Sequence, residues 1–303
     1  MSHNPAPTET RFRALRGHRV LTLEGRDATA FAQAQFMNDV ALLAPGHWQW
    51  NGWLTPKGRV IALFALLKFD EQTLWLLLPD ADPAELAVQL QRFVFRSKVK
   101  IAVGDTWHVD AALQASQWAS GAHFVGDAAA GIELDMSAEG GSRSLRIGLI
   151  DAGADAEATA GFEEAGFEEA GFEEAWAAED LHHGLPRLPA SQSGLWTPQQ
   201  LSLEWLHAYS IKKGCYPGQE IVARTHFLGQ AKRGAALLEA DTPVALGAEV
   251  RDPSRVLGSV VSVARAGATW RLLAVLPLER EGVLTLGDGI PARERPLAGG
   301  LQR

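Results

Sequence analysis

The chain has 303 residues, enough for two or three small domains around a sizeable core. Its apolar (47%) and charged (21%) fractions are those of an ordinary globular protein, and its longest strongly apolar run, residues 60–67, is too short to span a membrane. The single cysteine excludes an intrachain disulfide and any all-cysteine zinc or iron–sulfur site formed by this chain alone. The presence of only one cysteine fits a reducing, cytoplasmic compartment. Residues 1–15 lack the apolar stretch of a signal peptide.

The net charge of −8 is concentrated in one segment. Residues 161–175 are three tandem copies of Gly-Phe-Glu-Glu-Ala, and setting their six glutamates aside leaves −2 for the rest of the chain. A five-residue period turns about 140° per copy on a helix, so the three phenylalanines do not share a face, and each glycine weakens the helix. We interpret the repeat as an expanded surface loop or frayed helix that arose by replication, without a function of its own.

The N-terminal third alternates strands and helices. Asp27 is a predicted N-cap of a helix that extends to about Val40. Asp82, followed by Pro83 and Glu85, predicts the start of a second, amphipathic helix. Strands are predicted at residues 18–24, 48–54, 60–68, 73–78 and 99–103, with a turn at 55–58. This order is typical of a mixed α+β lobe.

The rest of the chain is predicted to be mostly β-structure. Residues 105–150 form a second β-rich segment with weaker signals. Beyond residue 234, short strands separated by Gly, Pro and Asp indicate a small β-barrel, with predicted strands at 235–238, 249–251, 256–263 and 270–276. We expect the last dozen residues to be loose.

The most specific pattern surrounds Cys215. Residues 212–224 read Lys-Lys-Gly-Cys-Tyr-Pro-Gly-Gln-Glu-Ile-Val-Ala-Arg. Cations near a cysteine favour its thiolate form. Pro217 and Gly218 suit the centre of a type II turn, and residues 219–224 predict the beginning of a helix. Two interpretations stay open: a buried structural cysteine beside a turn, or a reactive or ligand-contacting thiol.

This segment resembles the signature of the YgfZ family, folate-binding proteins related to the aminomethyltransferase (T-protein) of the glycine cleavage system. The matching residues are Lys213, Gly214, Cys215, Tyr216, Gly218, Gln219, Glu220, Ala223 and Arg224. Further matches lie at residues 31–35, 38–40, 57–59, 93–99, 176, 181–186 and 197–199. The resemblance implies an α+β protein with two mixed lobes of the aminomethyltransferase folate-binding fold, residues 1–104 and 105–234, and a C-terminal β-barrel at 235–303.

The resemblance also implies a folate site. A folate needs an aromatic or apolar wall, partners for its pterin edge, and cations for its carboxylates. The residues assigned to these contacts are Trp176, His182, Gln33, Asn38, Lys57 and Arg59, with Arg96 and Lys98 as further candidates for the carboxylates. A core tryptophan, solvated helix polar groups and an ordinary basic surface are the alternatives. Thr55 and His182 depart from the family pattern, where an acid and an arginine are usual.

Three functions stay open. The resemblance implies an accessory protein that binds tetrahydrofolate or another folate, acts in iron–sulfur cluster assembly or repair, and indirectly supports enzymes that methylthiolate tRNA. Its expected partners are folate and iron–sulfur client or assembly proteins, with Cys215 as a functional thiol and the chain as a monomer. The alternatives are a tetrahydrofolate-dependent aminomethyltransferase or other one-carbon transfer enzyme, and a protein that binds tRNA directly through basic residues 92–100 and 212–233.

No metal held by this chain alone is expected. We expect that His182, His183 and His226 lack a metal-ligand spacing with further histidines, cysteines or carboxylates.

Overall fold

A computed structural model describes residues 12–150, 162–229 and 231–303. The helices are α1 (Ala28–Gln35), α2 (Pro83–Gln91), α3 (Phe162–His182) and α4 (Gln219–Leu228). The strands of the two lobes are β1 (Arg13–Ala14), β2 (Arg19–Glu24), β3 (His47–Leu54), β4 (Val60–Lys68), β5 (Thr73–Leu78), β6 (Lys100–Val103), β7 (Trp107–Ala112), β8 (Val125–Asp127), β9 (Gly131–Asp135) and β10 (Ser144–Leu149). Those of the C-terminal part are β11 (Arg233–Ala240), β12 (Glu249–Arg251), β13 (Val256–Ala266), β14 (Thr269–Pro277), β15 (Leu284–Leu286) and β16 (Ile290–Arg295).

The first lobe is an antiparallel sheet with the order β3-β4-β5-β2-β6. Successive side chains of a strand point to opposite faces, and here both faces are covered. Leu63, Ala65 and Leu67 of β4 pack into a core shared with the second sheet, while Phe64 and Leu66 pack towards α1 and α2. Burial on both faces explains why β4 reads as an uninterrupted apolar run.

Helix α1 is shorter than predicted. It begins after Asp27 as expected, but it ends at Gln35 rather than near Val40 because Phe36 is extended and pairs with Trp53. Asp27 makes no side-chain cap, and its carboxylate accepts the Lys98 amide hydrogen at 2.6 Å instead. The predicted start of α2 is confirmed, since the Asp82 carboxylate accepts hydrogen bonds from the next turn.

The second sheet has the order β1-β7-β10-β9-β8, so the predicted β character of residues 105–150 is confirmed. Its first strand comes from the N-terminus: Arg13 and Ala14 pair with Ala111 and Asp110 of β7. This short strand therefore belongs to the second sheet and not to the sheet formed by its sequence neighbours.

The Gly-Phe-Glu-Glu-Ala repeat is helical where it is described, from Phe162 onward, so the surface-loop alternative is wrong. Alanine and glutamate are strong helix formers, which outweighs the glycine in each copy. Phe172, in the last copy, packs beside Trp176 one turn later, and both are buried. Further along α3, Leu181 packs on Leu237 of the C-terminal domain. The helix thus joins the lobes to that domain.

The C-terminal domain is a closed six-stranded barrel, β11-β14-β13-β12-β15-β16, as predicted. The expectation of loose final residues is wrong. The Ala298 amide donates to His182 O at 3.0 Å, and Trp50 Nε1 donates to Leu301 O at 2.8 Å. The Arg303 guanidinium lies 5.3 Å from the Trp48 ring. The final residues are held by hydrogen bonds of their backbone, which leave no apolar pattern in the sequence, so the sequence did not predict this anchoring.

Among the described residues, no helix is both long and apolar enough to cross a membrane.

Candidate functional site

The turn at Pro217 and Gly218, in the middle of the cysteine motif, packs against the turn at residues 55–58. Gly218 has φ 81° and ψ −2°, the values of the second central residue of a type II turn, as predicted. A Cβ on Gly218 would lie 2.7 Å from the Gly58 Cα and from Thr55 O. The turn at residues 55–58 and the cysteine motif therefore touch each other, and only glycine allows this approach.

Lys213 is buried and connects the motif to the first lobe. Its Nζ donates to Gln33 O at 2.6 Å, to Phe36 O at 2.5 Å and to Asn38 O at 3.0 Å. These oxygens belong to the C-terminal turn of α1 and to the segment that follows it, where a cation is favourable. Burial lowers the pKa of Lys213 to about 8. Lys213 therefore holds the motif and α1 together.

Cys215 is exposed, so the interpretation as a buried structural cysteine is wrong. The thiol lies in a groove of about 670 Å³ that has Trp53, Phe93 and Tyr216 among its walls. The Gln219 side chain donates to Lys213 O at 2.9 Å and closes the loop around the cysteine. The outcome is a rigid loop that presents one thiol beside apolar side chains.

Gly214 and Glu220 of the same motif are exposed. Glu220 lies in the first turn of α4, where a carboxylate suits the helix dipole, and it lines the groove together with Arg92. Arg224 is exposed one turn further along α4. It lines a different cavity, so the motif contributes to two separate surfaces.

A central cleft of about 810 Å³ has Asn38 on one side and Glu204, His207 and Tyr209 on another. The Tyr209 hydroxyl donates to Glu204 Oε2 at 3.3 Å, and burial raises the pKa of both groups. His207 has a positive φ of 56°, a conformation that is uncommon outside glycine. Sequence reasoning missed these three residues; only the match at residues 197–199 pointed to this region.

Asn38 lines the cleft and Gln33 does not, and both side-chain amides form hydrogen bonds within the protein itself. Asn38 Nδ2 donates to His207 O at 2.7 Å and to Trp50 O at 2.9 Å. Gln33 Oε1 accepts from the Val40 amide at 2.7 Å. Both side chains therefore hold the segment after α1 in place, which also explains why that helix ends early.

A cationic recess of about 630 Å³ adjoins the cleft. Gln199, Thr225 and Ala231 line both cavities. The cations that line the recess are Arg59, Arg224, Lys232 and Arg233, and none of its described lining residues is acidic. The Arg59 guanidinium is held by Leu195 O at 2.8 Å and Gln200 Oε1 at 2.9 Å. Lys57 is exposed on the neighbouring turn but does not line the recess.

Two predicted folate contacts lie elsewhere. Trp176 is 1% exposed, with the Arg143 guanidinium 4.6 Å from its ring centre. His182 lies at the end of α3, and neither residue lines the cleft, the recess or the groove. The expectation that the histidines here lack a further ligand is wrong, because Glu179 stands one turn before His182 and His183 with its ligand atom within 4.8 Å of theirs.

Comparison with known proteins supports the resemblance. No family model matches the chain. The tRNA-modifying protein YgfZ from two strains of Vibrio vulnificus is 27% identical over 250 residues, covering 80% of this chain and 76% of that protein. An uncharacterised protein of Haemophilus influenzae is 27% identical over 236 residues, covering 77% of this chain and 75% of the relative.

Among solved structures, the glycine cleavage system aminomethyltransferase T from Bartonella henselae matches with a TM-score of 0.73 at 14% identity, covering 96% of this chain and 86% of that one. Two mixed lobes and a closed barrel in this arrangement define an aminomethyltransferase-like fold. The YgfZ relatives then confirm the narrower resemblance that the cysteine motif indicated. The chain is similar to the YgfZ proteins in sequence and to the aminomethyltransferase in fold.

Proposed function

We propose that the chain binds a reduced folate, with the pterin in the central cleft and the glutamate carboxylates in the cationic recess. The observation that carries this proposal is the continuity of the two cavities through Gln199, Thr225 and Ala231. The cleft volume is in the usual range for small-molecule sites, about 300–1,000 Å³. Arginines beside a carboxylate can form paired, charge-assisted hydrogen bonds, which suits a ligand with an acidic tail.

Of the contacts that the resemblance implied, Asn38 and Arg59 line these cavities, and other residues line them as well. Glu204 and Tyr209 supply an acceptor and a hydroxyl in the cleft, and Arg59 and Arg224 supply the cations. Asn38 lines the cleft as a wall. Folate contacts by Trp176, His182, Gln33 and Lys57 stay predictions from the family resemblance.

We further propose that folate binding and the thiol serve separate steps. Cys215 lines the apolar groove, which shares no lining residue with the cleft or the recess. An exposed thiol on a rigid loop suits contact with a partner protein. This fits an accessory role in iron–sulfur cluster assembly or repair, through which enzymes that modify tRNA would be supported indirectly. The client proteins, the monomeric state and the cytoplasmic location stay predictions.

Calorimetry with tetrahydrofolate, kept reduced under anaerobic conditions, tests the folate proposal. We expect binding by the wild-type protein and by Cys215→Ala, and weaker binding by Glu204→Gln. Glu281→Gln is the matched control, since Glu281 is exposed on the barrel and distant in sequence from the cleft residues. Absence of binding by the wild-type protein, or equal binding by both glutamine variants, would contradict the assignment of the cleft.

The thiol is tested in cells that depend on this protein. We expect Cys215→Ala to lose the ability to support tRNA methylthiolation while keeping its folate affinity. Full complementation by Cys215→Ala would show that the thiol has no such role. Turnover of an aminomethyl donor to methylenetetrahydrofolate would instead favour the one-carbon transfer alternative, for which Glu204 and Asp39 are acidic groups that line the cleft.

Direct tRNA binding is a second candidate because the recess is lined by four cations and no described acid. Neutralising phosphates releases counterions, so such binding weakens steeply with salt. Titration of tRNA at several salt concentrations, with wild type and Arg224→Gln, separates this function from folate binding. If the protein does not bind tRNA even at low salt, direct tRNA binding is excluded.

A further inference from the structure

The C-terminal end of α3 gathers two histidines and a glutamate. Glu179, His182 and His183 lie at positions i, i+3 and i+4, and one ligand atom from each lies within 4.8 Å of the other two. Residues at this spacing share one side of a helix. Imidazole nitrogens with a carboxylate oxygen are a donor set that zinc and similar divalent ions use.

The backbone of this cluster is fixed by the cap of the helix. The Gly184 amide donates to Leu181 O at 3.0 Å and the Leu185 amide to Asp180 O at 2.9 Å. With Gly184 at φ 73°, this is the Schellman arrangement, which ends a helix with its last carbonyls satisfied. His182 and His183 are the last residues before that glycine, so their Cα positions are set before any ligand arrives.

A second contact orients the buried histidine. His183 is 2% exposed, and its Nδ1 lies 3.3 Å from Ala298 O. A carbonyl only accepts, so Nδ1 carries the hydrogen and Nε2 keeps its lone pair. This is how metal-binding histidines are usually held, with the second ring nitrogen donating to a carbonyl or a carboxylate.

The two oxygens of Glu179 have different partners. Oε1 accepts from Arg271 at 2.6 Å, and Oε2 lies 3.7 Å from His182 Nδ1. The arginine therefore fixes the carboxylate while leaving Oε2 directed to the histidines. The side chains of Glu179 and His182 are about one-third exposed, so an ion can reach them.

We propose that Glu179, His182 and His183 bind one divalent cation of the zinc class. Zinc bonds to nitrogen and oxygen of about 2.0–2.1 Å in a tetrahedron place ligand atoms about 3.3 Å apart. The separation of 3.7 Å between Glu179 and His182 is already close to that value, and small side-chain rotations bring the set together. A water completes the fourth position, as in three-ligand zinc sites. The C-terminal helix dipole also favours the cation.

Such an ion would strengthen the contact of α3 with the barrel and the C-terminal segment. His182 O accepts from the Ala298 amide, and Ala298 O accepts from His183, so the ligands already touch the segment that follows the barrel. Arg271, which holds Glu179, belongs to barrel strand β14. The bound ion would therefore fix α3, the barrel and the C-terminal segment relative to one another.

The test uses the full chain freed of metals, titrated with Zn²⁺ alone in competition with a chromophoric chelator. We expect one tight site, and a cobalt adduct with the intense visible absorption of tetrahedral coordination. Glu179→Gln and His182→Asn should lose this binding, while His226→Asn, the control at an exposed histidine of α4, should keep it. No stoichiometric site in the wild-type protein, or equal binding by all three variants, overturns the proposal.

Thermal unfolding separates ligand loss from misfolding. Without metal, His182→Asn should unfold near the wild-type temperature, because its partly exposed side chain makes a 3.7 Å contact with Glu179 and a ring contact with His183 at 5.4 Å between centroids. Added Zn²⁺ should raise the unfolding temperature of the wild type and of His226→Asn only, since a ligand that binds the folded state stabilises it. An equal rise in His182→Asn would place the ion elsewhere and refute the site. The folate site assigned to the cleft and the recess is tested separately by calorimetry, because none of the three metal ligands lines either cavity.

Discussion

Replacing Lys213 by methionine removes the ammonium that three backbone carbonyls share. Methionine has a similar length and no branch, so the change deletes the charge and its hydrogen bonds more than it deletes volume. Gln33 O, Phe36 O and Asn38 O would each lose a donor in a buried setting. An unsatisfied buried polar group costs about 1–3 kcal/mol, and relief of the buried charge offsets part of this. We expect a loss of about 3 kcal/mol of unfolding free energy.

Lys212→Met is the matched control, because Lys212 is the preceding residue, has the same chemistry and is exposed. Surface substitutions of this kind usually change stability by no more than about 0.5 kcal/mol. Urea unfolding followed by tryptophan fluorescence measures both variants against the wild type. If Lys213→Met unfolds within about 0.5 kcal/mol of Lys212→Met, the structural role assigned to the motif lysine is wrong.

Three further outcomes are expected. One thiol, Cys215, should react with Ellman's reagent in the folded protein, since it is exposed; reaction only after unfolding would contradict this. Gly218→Ala should destabilise the protein more than Gly121→Ala in chemical denaturation, because both glycines have positive φ but only Gly218 is crowded by the neighbouring turn. Burial, helped by Arg187, lowers the pKa of His18 well below 6.5. The unfolded state therefore binds more protons as pH falls below 6.5, and stability should drop by up to about 1.4 kcal/mol per pH unit. His18→Gln should flatten this slope in unfolding measured from pH 7 to pH 5, and an unchanged slope would exclude His18 as its source.

The strands were predictable because their signals are local. The apolar run of β4 and the alternation and turns of the barrel follow from the period of two, and the Asp82 cap follows from a three-residue pattern. The end of α1 was not predictable, because it depends on Gln33, Asn38 and the distant Lys213. Long-range hydrogen bonds of this kind override a helical pattern.

In the candidate site, too, local sequence predicts some features, whereas others depend on long-range contacts. The motif predicted the resemblance to YgfZ proteins and the Gly218 turn, where close packing leaves room only for glycine. It could not show that Lys213 points inward while Cys215 points outward. Glu204, His207 and Tyr209 carry no motif, and they meet Asn38 only when the segment after α3 folds back on the first lobe.

The position of the repeat on α3 has an evolutionary consequence. The helix is anchored at its C-terminal end, where Phe172 meets Trp176 and Leu181 meets the barrel. Each further copy upstream would lengthen the helix by about 7.5 Å and rotate its start by about 140°, without shifting the register of the anchored part. Slippage during replication can therefore change the number of upstream copies with little selection against it, whereas the copy that contains Phe172 is constrained by the core. Length differences at this point among related chains would then record neutral drift and not adaptation.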